Sequence, residues 1–205
     1  MPPSTPLRRP AAYFEQSSQS RVSGTAVFVA HIVVDFVMVL STVWLLFTQI
    51  DNPPAGLQNE LFSQLAGLAV FGVIVYVIAW LLVSAIMHVL SGGSGTDGTF
   101  GNAMDVAGWA YAPEIVTAPL VVAVAWNSIR GLSLDGSDPQ QFAAEAEALE
   151  SAAHHPISIL VAGIVVAWSV YILTKGTAAT HNVSTDKTLP PALLVGIGAF
   201  LFAIV

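Results

Sequence analysis

Five apolar stretches, at about 25–50, 65–90, 103–129, 157–173 and 189–205, restrict the architectures open to this chain more than any other feature. Each is near the ~20 residues that an α-helix needs to cross the hydrocarbon core of a bilayer. Within that core every backbone polar group must be satisfied internally, which favours helices. The expected fold class is therefore all-α: a polytopic membrane protein with five transmembrane helices. Composition agrees, because only 9% of residues are charged and mean hydropathy is +0.73, against roughly 25% charged in a soluble domain. With 205 residues, the chain has no room left for a soluble domain.

Several function classes are excluded. The chain has no cysteine, so disulfides, thiol catalysis and thiolate metal sites are absent. A net charge of -7 argues against nucleic acid, which requires clustered Lys and Arg. The acidic excess, with only two lysines, fits a salt-adapted organism. No Gly-x-Ser-x-Gly, paired-aspartate or other catalytic signature is present. The chain shows no 20–50-residue repeat, and five unlike spans do not divide into two inverted halves.

The breaks between spans are specific. Residues 1–21 are polar, rich in Pro and Ser, and read as an irregular cytoplasmic tail with a short interfacial turn at Tyr13 and Phe14. They do not form a cleavable signal, since the apolar run that follows is too long. Residues 22–205 read as one membrane domain. Asp51, Asn52, Pro53 and Pro54 end the first span. Gly92, Gly93, Gly95 and Gly98 end the second in a tight reversal that requires positive φ. Their amides could also form an anion-binding nest, but no Gly-Lys-Ser/Thr ending makes this a nucleotide loop. Pro113 and Pro119 are expected to kink or break the third span. In the acidic loop 131–155, Phe142, Ala146, Leu149 and Ala153 share one helical face, the pattern of a short amphipathic helix. His154 and His155 stand at the start of span four, and Pro190 and Pro191 suit the first turn of span five.

Lys and Arg set the expected orientation. The tail, the glycine turn and a loop at 174–188 hold Arg8, Arg9, Arg21, Lys175 and Lys187, whereas the opposite side holds only Arg130. The amino terminus is then cytoplasmic, and the carboxyl terminus and the 131–155 loop are outside. Asn182, though part of a glycosylation sequon, falls on the cytoplasmic side. His181 is expected to be solvated there. Trp109, Tyr111, Trp126, Trp168 and Tyr171 are assigned mainly to interfacial belts.

Ionisable groups inside a membrane are costly and therefore informative. His31 and Asp35 lie four apart on one face of span one. Glu114 lies at a similar depth in span three, and His88 closes span two. One reading joins His31, Asp35, His88 and Glu114 into a polar cluster that relays protons, binds a cation or holds a lipid headgroup. The same groups could ligate a divalent metal, but no ligand spacing is diagnostic. The structural alternative pairs His31 with Asp35, or Asp35 with a nearby hydroxyl, and lets Glu114 cap backbone freed by the prolines. No catalytic residue, metal site or cofactor is assigned. Small residues four apart at Gly163/Ala167 and Ala192/Gly196 would allow close helix contact and a homo-oligomer.

Taken in order, Pro10, Tyr13, Phe14, His88, Gly92, Gly93, Gly95, Phe100, Tyr111, Pro113 and Pro119 form a recognisable series. It continues with Trp168 through His181 and Lys187. On these residues the chain resembles the Yip family of Ypt/Rab-interacting membrane proteins, in its compact prokaryotic form. The resemblance implies five helices, a cytoplasmic amino terminus and an outward carboxyl terminus. Eukaryotic relatives bind prenylated small GTPases in vesicle traffic and carry no catalytic residues. The very short tail here departs from them, so Rab binding is not carried over. What the resemblance implies is a multi-pass scaffold or adaptor of the cell membrane, embedded in the lipid bilayer. It would organise protein partners or lipids at its cytoplasmic face. The alternative is a small transporter, channel or lipid-handling protein that uses the polar cluster.

Overall fold

The computed structural model describes residues 3–16, 22–53, 56–132, 134–137 and 156–204. Among these residues seven α-helices follow in order: α1 Pro10–Phe14, α2 Gly24–Phe47, α3 Leu57–Leu90, α4 Phe100–Trp109, α5 Ala112–Ile129, α6 Pro156–His181 and α7 Thr185–Ile204. Among the described residues, five segments are long and apolar enough to cross a membrane: Gly24–Phe47, Leu57–Leu90, Phe100–Ile129, Ser158–His181 and Thr185–Ala203. The fold is an all-α, multi-pass membrane bundle. The amphipathic pattern at 142–153 and the pair His154/His155 lie outside the described residues.

Local chemistry sets the helix ends. Ser23 caps α2 by accepting from the Ala26 amide at 3.2 Å, which satisfies one of the four unpaired donors of a helix start. Thr99 and Asn102 form a reciprocal capping box at the start of α4. Gly56, with φ of 89°, opens α3. Ala110 and Tyr111 separate α4 from α5, and Pro113 then falls at the second position of α5, where no backbone donor is required. The break expected in span three is therefore present ahead of Pro113. Pro119 does not break its helix, because α5 runs unbroken around it.

The bundle has two dissimilar ends. At one end the extended pairs Ile50–Asp51 (β1) and Leu134–Asp135 (β2) lie parallel and join the exits of α2 and α5. At the other end sit the glycine turn, the α6–α7 connection and the start of α2. The loop expected at 174–188 is not formed: α6 continues through His181, and α7 begins at Thr185. Polarity here does not mean solvent. Ser84, Ser91, Thr174, Thr177, His181 and Thr188 are all buried, so the helices extend beyond their apolar stretch around a polar core. Thr188 Oγ1, for example, donates to Thr174 O at 2.9 Å. Asn182, at φ 52°, makes the turn between the two helices. Span five consequently starts four residues earlier than expected, and Pro190 and Pro191 lie inside α7.

The amino-terminal segment, expected to be mostly irregular with a turn at Tyr13 and Phe14, carries a short helix there, and its described residues pack against the bundle. Tyr13 and Phe14 belong to the core, and each such burial contributes roughly 1.5–3 kcal/mol. Trp168 Nε1 donates to Leu7 O at 2.8 Å. Tyr13 OH and Trp109 Nε1 both donate to Val22 O, at 2.9 and 3.1 Å. Gly176 makes room: a Cβ there would stand 2.8 Å from Val106 and 2.9 Å from Phe14. Trp109 and Trp168 thus anchor the segment instead of forming an interfacial belt.

Small residues bring helices together inside the chain. A Cβ on Gly24 would strike the Asp105 carbonyl, and one on Gly108 would strike the Gly24 carbonyl. Gly196 faces Val166 and Val170 of α6, and Gly163 faces Phe200 of α7. Of the small-residue pairs, Gly163 and Gly196 take part in this α6–α7 contact, while Ala167 is exposed.

Candidate functional site

Two polar centres emerge, separated along the bundle. The first caps the end that carries the glycine turn. Gly92 (φ 117°) and Gly93 (φ 53°) take the left-handed backbone that the reversal requires, and Gly95 completes a short 3-10 turn. Behind this turn, His88 Nδ1 lies 3.0 Å from His181 Nε2. His181 is fully buried, and its Nδ1 lies 3.1 Å from Thr180 Oγ1. Phe100 meets His88 edge to face. Gly98 lies flat against the His181 ring, with no space for a Cβ. Asn182 Nδ2 donates to Asp97 Oδ2 at 2.9 Å, so the α6–α7 turn is tied to the glycine turn twice.

The second centre lies between α2, α3 and α5. His31 is 3% exposed, and its ring stacks on Tyr111 and meets Tyr76 edge to face. Its Nε2 stands 3.4 Å from Glu114 Oε2, yet makes no hydrogen bond. Asp35 accepts instead from Tyr76 OH, at 2.5 Å. Phe28 and Trp80 continue the aromatic column beyond Tyr111. Ser169 Oγ donates to Ala110 O, so Ala110 is level with a residue five positions before Thr174. Counting on to Glu114 at ~1.5 Å per residue puts its carboxylate roughly 13 Å inside the polar extension.

The sequence of the Yip1 domain family matches this chain over residues 5–205. The chain belongs to the Yip1 domain family. No curated protein and no solved structure matches it at a significant level. The match begins within the amino-terminal segment, at residue 5, and takes in all five candidate spans.

Within this Yip1 domain the residues singled out from sequence divide between the two centres. His31, Asp35, Tyr111 and Glu114 come together, with His31 beside Glu114 rather than hydrogen-bonded to Asp35. His88 does not join them. It pairs with His181, which is buried instead of solvated. The separation of His31 from His88 also disassembles the four-ligand metal set, and among the described residues no group of three His, Asp or Glu could hold a metal. Pro113 and Pro119 shape α5 and touch neither centre through a polar group. Tyr76 and Asp97 stand out in neither composition nor motif, and Gly98 reads from sequence only as part of the glycine turn. Tyr76 carried one available signal, a hydroxyl in the middle of an otherwise apolar span.

Proposed function

We propose that this Yip1-domain protein is a non-enzymatic adaptor of the cell membrane. Its working face is the end built from the 92–99 turn, the 182–184 connection and the amino-terminal segment, and that face is cytoplasmic. One observation carries the reading. Three segments distant in sequence are locked to each other there by His88–His181, Asp97–Asn182 and Trp168–Leu7 contacts. A surface fixed in advance loses less conformational entropy when a partner binds. Exposed Ser94, Asp97 and Asn182 offer that partner hydrogen-bonding groups.

Because the chain lacks cysteine, Ser94→Cys gives a single cross-linking point on this face and Glu60→Cys one at the opposite end. In native membranes Ser94→Cys should give a discrete adduct. Adding Gly93→Val and His88→Ala to a correctly inserted protein should abolish it. An adduct that survives both changes, or that forms equally from Glu60→Cys, removes the adaptor reading.

A further inference from the structure

The mid-depth cluster has no part in an adaptor surface. Its composition calls for another explanation. A side chain that ionises inside a bilayer normally faces the bundle interior and is paired. Here Glu114 is 45% exposed on its side chain, while its neighbour His31 is 3% exposed. The Glu114 side chain therefore reaches the bundle surface within a segment long and apolar enough to cross a membrane, and the imidazole lies behind it. His31 Nε2 is buried, unpartnered and directed at Glu114 across 3.4 Å. That distance exceeds the ~2.7–2.9 Å of a formed charge-assisted hydrogen bond.

Every group needed to handle one proton is present. The titratable groups facing Glu114 are His31 and Asp35 from α2, Tyr76 from α3, and Tyr111 at the α4–α5 break. From α6 the neighbouring polar contact is Ser169, which is committed to Ala110 O. Asp35 is held by the Tyr76 hydroxyl. Glu114 therefore remains as the carboxylate without a hydrogen-bond donor of its own, beside an imidazole nitrogen without a partner. A second negative charge next to Asp35 in this medium is unfavourable, and one proton on Glu114 removes it.

We propose that Glu114, His31 and Asp35 form a proton-binding site open to the lipid-facing side of the bundle, with Glu114 as the group that takes up and releases the proton. Uptake forms an O–H bond on Glu114 Oε2 and releases water from hydronium; release reverses this. His31 Nε2 is the positioning group that accepts from the protonated acid. Tyr76 keeps Asp35 oriented.

The test is labelling by a hydrophobic carbodiimide in liposomes. The protonated carboxyl adds across the reagent's C=N bond: oxygen bonds to carbon, and the acid proton moves to nitrogen. Only the protonated form reacts in this way. Peptide mass mapping of the unaltered protein should place the adduct on Glu114. Labelling should fall about tenfold per pH unit once pH exceeds the site's midpoint. His31→Asn should move that midpoint, and Glu114→Gln should remove the adduct. Because the mapping uses the unaltered chain, a variant that fails to insert does not block the test. An unlabelled Glu114, or labelling independent of pH, overturns the proposal. Protection by sodium at constant pH also overturns it, by assigning the site to an alkali cation.

Discussion

Gly98→Ala tests whether the two histidines form a packed joint. A Cβ at this position would fall on Cγ, Nδ1 and Cδ2 of the His181 ring. The ring cannot turn away freely, since His88 holds one nitrogen at 3.0 Å and Thr180 the other at 3.1 Å. Overpacking of this kind costs about 1–3 kcal/mol. Displacing the ring from one partner adds about 0.5–1.5 kcal/mol. The loss of glycine's freedom in the unfolded chain returns about 0.4–1 kcal/mol. The net destabilisation is roughly 0.5–4 kcal/mol, or about 2- to 700-fold in the unfolding constant at ~1.4 kcal/mol per decade. Gly95→Ala is the control: nothing lies within 4 Å of its added Cβ, and its φ is not positive. It should be neutral or slightly stabilising. Reversible unfolding in mixed micelles, followed by tryptophan fluorescence, measures both. If Gly98→Ala is as stable as Gly95→Ala, the packed joint is refuted.

Further perturbations address the other contacts. Trp168→Phe removes the bond to Leu7 O, at about 0.5–1.5 kcal/mol, and should accelerate tryptic cleavage after Arg8; unchanged cleavage would mean that the segment is held without it. Gly108→Ala pushes a methyl into the Gly24 carbonyl and should cost about 1–3 kcal/mol or more, because backbone cannot rotate aside. Tyr76→Phe leaves Asp35 without its donor and should lower stability by about 1–3 kcal/mol, seen in the same unfolding assay; a neutral result would place another donor on Asp35.

The sequence made the spans legible because lipid imposes a length and a composition on every crossing. The glycine turn was legible for a similar reason: Gly92 and Gly93 take a backbone conformation that other residues adopt only under strain. Where the reasoning stopped is equally physical. Polarity puts a loop at 174–188 with His181 solvated, whereas Thr174, Thr177 and His181 line a polar core that only the assembled bundle creates. The tail looked irregular because a five-residue helix has too little periodicity to register, and its anchors, Trp109 and Trp168, lie far along the chain. His88 and His181 are 93 residues apart, and Asp35 and Tyr76 are 41 apart. Depth along a helix placed Glu114 near His31 and Asp35. It could not show that His31 would turn to Glu114 while Asp35 took a tyrosine hydroxyl.

The central claim is that the end locked by His88, His181 and the amino-terminal segment faces the cytoplasm. Single-cysteine variants Ser94→Cys and Glu60→Cys, treated with a membrane-impermeant maleimide before and after lysis, test it most directly. Ser94→Cys should be labelled only after lysis and Glu60→Cys in intact cells. The reverse pattern would contradict it and place the glycine turn, with its proposed partner, on the outer side.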